Sequence, residues 1–403
     1  MVNQELYQIG AKRAPVRELF EYGKKKAQEI GAENVFDFSL GNPSTPAPSE
    51  VRRAVLEILE ESSDLQLNGY TSTQGDMETR NAVAHSLNER FQTSYGAEEI
   101  FMTAGAAPGL VGCVRTLLID SDSEILVQAP FFTEYRVYAA ANGGKLMVVP
   151  ADVPNFQINF LEMERLISPH TQALIVNSPN NPSGAIYTEQ TIQKLAALLE
   201  RKSAEYGHPI YIIADEPYRE LVYTDAQVPW IPAYYKNTLV CYSYSKSLSL
   251  PGQRIGWVLI PKQLEEYDAF LPAFTGAMRA FGQVCAPSLY QKVIARCANV
   301  SPDLTVYRRN RDLLYENLTA MGYRCAKADG TFYLFLEAPN GDAAAFSDMA
   351  KEEGLLIPAG GAYGAAGYLR ISYCVPTEQV ERSLPVFRRL LEKWRGEQTH
   401  EQN

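Results

Sequence analysis

Ser243-Tyr-Ser-Lys246 and Pro251-Gly-Gln-Arg-Ile-Gly-Trp257 are the most informative segments of this 403-residue chain. They place two serines beside Lys246, and Arg254 follows eight positions later. The preceding run, 237–242, alternates apolar and polar residues and predicts a short strand that ends at the lysine. A lone lysine at a strand end is usually a solvated charge, whereas this one, with its serines and arginine, also suits an anionic cofactor. These segments alone leave both interpretations open.

Composition indicates a globular protein without a nucleic-acid-binding surface. Hydrophobic residues make up 46% of the chain, charged residues 21%, and the net charge is −10. No run reaches the roughly 18 apolar residues that a membrane span needs. The N-terminus lacks the pattern of a secretion signal, so we expect a cytoplasmic protein. The six cysteines contain no C-x-x-C pair and the four histidines are scattered, which predicts reduced thiols and no metal site.

The region from about residue 100 to 260 alternates β-rich runs with helical stretches, which predicts an α/β fold with a mainly parallel sheet. Several runs are continuously apolar, as expected of strands that helices cover on both faces. The candidate strands are 100–103, 124–128, 145–149, 173–177, 210–214, 239–242 and 257–260. Segment 188–206 carries apolar residues on one side and predicts a helix between two of them.

The last hundred residues predict a smaller α+β domain. Its candidate elements are a helix at 303–321, strands at 331–336, 355–357 and 368–373, and a final helix at 378–394. We assign 46–290 to a large cofactor-binding domain and 291–403 to the C-terminal small domain. Residues 1–45 form the N-terminal segment of that small domain.

Chemically active residues follow the predicted strands, at the edge where an open α/β sheet binds ligands. The small-residue turn 103–109 opens a helix and suits a phosphate, although any tight turn needs glycine. Phe132 offers a ring for stacking or for core packing. The turn 177–184 contains three asparagines and two prolines. Asp215 follows a buried strand and needs a cationic partner, either a protonated pyridine nitrogen or a structural arginine.

Pyridoxal phosphate requires each of these parts: an amine for its aldehyde, an anion for its ring nitrogen, a stacking surface, donors for its phenolic oxygen and a phosphate cup. At this point the chain resembles the class I/II aminotransferases, the fold-type I pyridoxal-phosphate enzymes that include aspartate aminotransferase. The most specific family motifs, N-P-x-N-P-T-G and S-x-S-K-x-x-x-x-P-G-x-R-x-G, match 177–184 and 243–256. The resemblance extends from Gly41 to the C-terminal helix. It implies a large domain with a mostly parallel sheet between helices, plus the smaller α+β domain.

For the cofactor ring, the resemblance implies that Lys246 forms the Schiff base and carries the proton between the substrate Cα and the cofactor. Asp215 would keep the ring nitrogen protonated. Tyr218 and Asn181 would donate to the phenolic oxygen, and Phe132 would stack on the ring.

For the cofactor phosphate, the resemblance implies a cup made by Gly105 and Ala106 with Ser243 and Arg254. Tyr70 matches the tyrosine that reaches the phosphate from the neighbouring subunit, which implies a homodimer.

For the substrate, Arg370 matches the arginine that binds the α-carboxylate, with Asn181 and Gly41 beside it. Ala107 stands where one branch of the family has a lysine for the distal carboxylate of aspartate. Arg279 lies one residue from the position where another branch uses an arginine of the partner subunit. Arg279 is therefore either a clamp for a dicarboxylate substrate or an ordinary surface or interface arginine.

Three departures from the family pattern are mild. The stretch 358–363 reads Pro-Ala-Gly-Gly-Ala-Tyr, Ser183 replaces a threonine, and Phe132 replaces a larger aromatic residue. The resemblance therefore predicts an aminotransferase that moves an amino group from an L-amino acid, aspartate- or glutamate-like, to a 2-oxo acid.

Three other activities compete with this prediction. A C–S β-lyase on the same fold shares Lys246, Asp215 and Arg370. A transcriptional regulator with an aminotransferase-like domain needs a DNA-binding module, and the residues before the first motif are too few for one. A nicotinamide dehydrogenase needs a G-x-G-x-x-G turn after the first strand, which is missing.

Overall fold

A seven-stranded sheet forms the centre of the larger part of the protein. The computed structural model describes residues 2–11 and 15–401. The β-strands of these residues are β1 (Phe36–Asp37), β2 (Ile100–Thr103), β3 (Glu124–Gln128), β4 (Lys145–Val149), β5 (Thr171–Asn177), β6 (Tyr211–Asp215), β7 (Thr238–Ser243), β8 (Gly256–Leu259), β9 (Arg324–Cys325), β10 (Tyr333–Glu337), β11 (Leu355–Leu356) and β12 (Tyr368–Ser372). The strand order in the seven-stranded sheet is β2-β8-β7-β6-β5-β3-β4. Within the large sheet only β8 runs antiparallel to its neighbours. The predicted mainly parallel α/β fold is confirmed.

Helices cover both faces of this sheet. The α-helices of the described residues are α1 (Gln4–Ala11), α2 (Pro15–Ile30), α3 (Ser49–Glu61), α4 (Asp64–Asn68), α5 (Met77–Phe91), α6 (Ala106–Leu117), α7 (Glu134–Ala140), α8 (Phe160–Leu166), α9 (Glu189–Tyr206), α10 (Tyr244–Ser247), α11 (Tyr267–Ala280), α12 (Ser288–Cys297), α13 (Thr305–Met321), α14 (Ala343–Glu352) and α15 (Thr377–Glu401). No helix in the described ranges is both long and apolar enough to cross a membrane.

The continuously apolar strands explain why the sheet is buried on both sides. Residues of β5 and β6 alternate between two hydrophobic clusters: Leu174 and Ile212 face one, and Ile175 and Ile213 face the other. Each cluster buries apolar surface against helices, which is the main favourable contribution to folding.

The second, smaller part of the protein has its own sheets and its own core. Strand β10 pairs antiparallel with β12 and β9, and β1 pairs in parallel with β11. The pairing of β1 with β11 joins the N-terminal segment to the C-terminal part, and α2 also packs against β11. Strand β1 has only two residues and has no counterpart among the predicted strands. The exact domain boundaries stay predictions.

The sheet register aligns the ends of its central strands. Asn177 pairs with Asp215, Asp215 pairs with Cys241, and Ser243 pairs with Gly256. The side chains that follow β5, β6 and β7 therefore project at the same edge of the sheet, as the alternation of strands and helices predicts.

Candidate active site

A cavity of about 500 Å³ lies at the carboxyl ends of β5, β6 and β7. Residues from both parts of the chain line it, including most of the predicted site residues. The predicted residues on its wall are Gly41, Ala106, Phe132, Asn181, Asp215, Tyr218, Ser243, Lys246, Arg254 and Arg370. Gly105 comes immediately before Ala106, at the N-terminus of α6.

Lys246 lies in the short helix α10, directly after β7. Its Nζ donates a hydrogen bond to the backbone carbonyl of Gly41 over 2.7 Å. Burial, with the positive charges of Arg370 and Arg254, lowers the pKa of the amine from 10.5 to about 8, although Cys374 opposes the shift. A substantial fraction of this amine is therefore neutral near pH 8. A neutral amine can attack a carbonyl or accept a proton.

Asp215 is the last residue of β6 and is 5% exposed. Its Oδ2 accepts a hydrogen bond from the Tyr135 hydroxyl over 2.6 Å. Burial raises the pKa of the carboxyl from 3.8 to about 7; the Tyr135 hydrogen bond opposes this effect and Glu216 adds to it. The second oxygen, Oδ1, is buried and has no hydrogen-bond partner among the described residues. A buried carboxylate oxygen without a partner is costly unless a ligand supplies a donor, and a protonated pyridine nitrogen is such a donor.

The turn after β2 and the segment before β8 meet at the predicted phosphate cup. Gly105 has φ +90°, and a Cβ there would lie 2.7 Å from an Arg254 guanidinium nitrogen. Only glycine allows both this backbone angle and this approach of the guanidinium. Ser243 is at the N-cap of α10, and its Oγ lies 2.7 Å from the Ser245 Oγ. The start of α6, these hydroxyls and Arg254 are groups that bind a phosphate.

Arg370 lies on β12 and is 4% exposed. Its Nη1 donates to Asn181 Oδ1 over 3.2 Å and its Nη2 to the Ser39 carbonyl over 2.5 Å. The Nε is buried without a partner among the described residues. The guanidinium also lies against two aromatic rings, 4.6 Å from the Tyr333 centroid and 5.0 Å from that of Tyr363. The two hydrogen bonds and the two rings fix the plane of the guanidinium, which suits a carboxylate ligand.

Tyr218 and Tyr333 connect the two parts of the cavity wall. Their hydroxyls are 3.2 Å apart, and burial raises the pKa of Tyr218 well above its ordinary value, so this hydroxyl keeps its proton. A Cβ at Gly41 would overlap the Tyr333 hydroxyl, so a glycine is needed where β10 approaches the N-terminal segment. Phe132 is half-buried and packs edge-to-face on Tyr135, with ring centroids 5.7 Å apart.

Two predicted site residues lie outside the cavity of their own chain. Tyr70, in the loop after α4, is 87% exposed. Arg279 is exposed near the end of α11. Tyr70 was predicted to act on a neighbouring subunit, and Arg279 was left as either a clamp across that interface or an ordinary surface or interface arginine. The single chain tests neither prediction.

Sequence reasoning did not single out several residues in or directly behind the cavity wall. Tyr135 follows Phe132 by one helical turn, and that spacing is a signal that could have found it. Tyr333 and Tyr363 reach the site only through the fold of the C-terminal part, and Arg17 reaches it through α2. Tyr333 and Arg17 have no local motif that points to the site, whereas Tyr363 ends the stretch 358–363 that was compared with the family pattern.

The fold is that of the fold-type I pyridoxal-phosphate enzymes. The cavity contains an amine, a carboxylate oxygen with no hydrogen-bond partner among the described residues, and a phosphate cup, and these groups fit the cofactor. Within this class, the chain belongs to the family of class I and II aminotransferases, whose family model matches residues 33–386. The family depends on pyridoxal phosphate, so the protein is a pyridoxal-phosphate-dependent transferase.

Known relatives agree with this assignment and differ in their substrates. Aromatic-amino-acid aminotransferase 2 of Thermococcus litoralis is 26% identical over 399 residues, which cover 94% of this chain and 95% of the relative. The aspartate aminotransferase of Thermotoga maritima is 25% identical and covers 95% and 97% of the two chains. A crystal structure of an aminotransferase from Eubacterium rectale is 51% identical, with a TM-score of 0.96 over 98% of this chain and 99% of that one.

Proposed function

We propose that this protein is a cytoplasmic, homodimeric aminotransferase that moves an amino group from an L-amino acid, with aspartate or glutamate favoured, to a 2-oxo acid in a ping-pong reaction through Lys246. The observation that carries the proposal is the meeting of the Lys246 amine, the Asp215 carboxylate and the Arg370 guanidinium in one cavity. Names of relatives that act on aspartate support the preference for acidic substrates.

Bound pyridoxal phosphate supplies a carbonyl group that takes up the amino group and a ring that withdraws electrons. Lys246 would hold the cofactor through its amine and would carry a proton between the substrate Cα and cofactor atom C4′. Its pKa of about 8 makes it a base and an acid near neutral pH. Asp215 would keep the ring nitrogen protonated, and Phe132 would stack on the ring. Tyr218 and Asn181 would donate to the phenolic oxygen.

The phosphate is held by the backbone at Gly105 and Ala106, by Ser243 and by Arg254. Tyr70 contributes a further hydroxyl from the second subunit, which is consistent with its exposure in the single chain. A functional dimer follows from this role.

The substrate is held at its α-carboxylate by Arg370, with Asn181 and Gly41 beside it. Both oxygens of a carboxylate match the two ends of a guanidinium fork. Arg279 of the second subunit is a candidate for the distal carboxylate, since in its own chain it lies outside the cavity.

A product assay tests the proposed activity. Purified protein with added pyridoxal phosphate is incubated with single L-amino acids and 2-oxoglutarate, and mass spectrometry follows the formation of glutamate and of the new 2-oxo acid; glutamate itself is tested with oxaloacetate. We expect product with the wild-type protein and none with Lys246→Ala. Release of pyruvate and ammonia from cysteine without any 2-oxo acid, and no transamination, would replace the proposal with the C–S β-lyase.

A further inference from the structure

Arg17, in the first turn of α2, lies on the wall of the active-site cavity together with Val16, and the proposed function gives it no role. Helix α2 belongs to the same chain as the cavity and packs against β11. Strand β11 pairs with β1, which leads into the segment that contains Gly41. The position of Arg17 beside the cavity therefore depends on contacts within one subunit.

Arg17 is exposed, and no charged group of the cavity among the described residues pairs with it. The described lining residues with a positive charge are Arg17, Lys246, Arg254 and Arg370. Each of the last three donates a hydrogen bond to a described residue and is assigned to the cofactor or the α-carboxylate. The Arg17 guanidinium has no hydrogen bond or ion pair among the described residues.

The described carboxylates of the cavity form no ion pair with Arg17. The described lining residues that carry a carboxylate are Asp215 and Glu134. Asp215 faces the predicted ring nitrogen. Glu134 begins α7, the helix that also carries Tyr135 and Tyr138 on the cofactor side, and it forms no ion pair with Arg17. Arg17 is therefore available to bind an additional anion in the cavity.

We propose that Arg17 is a specificity residue that binds the distal carboxylate of an acidic amino-acid substrate within its own subunit. This inference rests on the proposed function, because it assumes that Arg370 holds the α-carboxylate. The substrate class is then an L-amino acid with a second carboxylate, and the same contact serves the matching dicarboxylic 2-oxo acid. A guanidinium is suited to this task because it stays charged at all relevant pH values and offers paired donors.

The experiment compares Arg17→Gln, Arg17→Lys and two controls. Lys25→Gln removes one positive charge from an exposed position of the same helix, outside the cavity. Arg279→Gln removes the rival arginine. The ratio of kcat/KM for aspartate to kcat/KM for alanine is measured in each variant. Calorimetry then compares the binding of succinate and of butyrate, two four-carbon acids that differ by one carboxylate, to each cofactor-loaded protein.

We expect Arg17→Gln to lower the aspartate-to-alanine ratio about 10- to 100-fold, the usual effect of losing a charge-assisted hydrogen bond. Succinate binding should weaken by a similar factor, and butyrate binding should not change. Arg17→Lys should recover part of the loss, and Lys25→Gln should behave as the wild type. An unchanged ratio and unchanged succinate affinity in Arg17→Gln would overturn the inference, as would a loss seen only in Arg279→Gln. If the wild-type protein transaminates no amino acid, the proposed function itself fails, and this outcome is distinct from an active enzyme that is indifferent to Arg17.

Discussion

Tyr135→Phe removes the hydroxyl that donates to Asp215 Oδ2 over 2.6 Å. Asp215 Oδ1 has no hydrogen-bond partner among the described residues. In the variant, therefore, neither oxygen of this buried carboxylate accepts a hydrogen bond from a described side chain. A hydrogen bond to a charged group contributes about 1.5–3 kcal/mol, which corresponds to about 10- to 100-fold in the ionisation equilibrium. The pKa of Asp215, already raised to about 7 by burial, therefore rises further. At neutral pH less of the carboxylate is ionised.

This change is measured by titrating apoprotein with pyridoxal phosphate between about pH 6 and 9 and following the absorbance of the bound cofactor. The wild-type carboxylate is about half ionised at pH 7, so we expect Tyr135→Phe to bind the cofactor about 5- to 50-fold more weakly there, with the difference closing at higher pH as Asp215 ionises. Tyr138→Phe is the matched control: Tyr138 lies one turn along α7 and lines the cavity, but it forms no hydrogen bond with Asp215. Equal effects of the two substitutions, or a Tyr135→Phe curve that superposes on that of the wild type, would refute the reasoning.

Three further predictions concern charged groups of the site. Burial raises the pKa of Asp215 from 3.8 to about 7 in the folded apoprotein, so ionisation of this carboxyl destabilises the fold as pH rises between those values. Urea unfolding should therefore show that Asp215→Asn increases the free energy of unfolding by up to about 4 kcal/mol at pH 8 and by little at pH 4. Because the pKa of Lys246 is lowered to about 8, the rate of cofactor attachment to apoprotein should rise about tenfold per pH unit below pH 8 and level off above it in stopped-flow absorbance. Arg370→Lys keeps the charge but loses the planar fork, so the KM for amino acids should rise about 10- to 100-fold while the affinity for pyridoxal phosphate stays the same.

Local sequence patterns were sufficient for most of the large sheet. The limits of β2, β3 and β4 match the predicted strands, and Thr188, the predicted first residue of a helix, is the N-cap of α9. The predicted strand 210–214 ends one residue early, because Asp215 still pairs with Asn177 and Cys241. Such errors of one or two residues arise because pairing with neighbours, which a local pattern does not contain, decides where a strand ends.

The cofactor side of the site was predictable because its residues follow strands of one parallel sheet, and parallel strands bring their carboxyl ends together. The substrate side was only partly predictable. Arg370 was found through a family motif, whereas Tyr333 and Arg17 approach the cavity through packing between distant segments. Contacts of this kind depend on how β10 and α2 pack in the folded chain, and no spacing within either segment encodes them.

Attachment of the cofactor to Lys246 is the central claim, and trapping it by reduction is the most direct test. Holoenzyme is treated with borohydride, which converts a Schiff base into a stable amine, and the digested protein is mapped by mass spectrometry. The account predicts a pyridoxyl group on the peptide that contains Lys246, with no label at that site when the enzyme is first converted to its amino form by an excess of donor amino acid. A label on a different lysine, or none on a protein that nevertheless binds the cofactor, would contradict it.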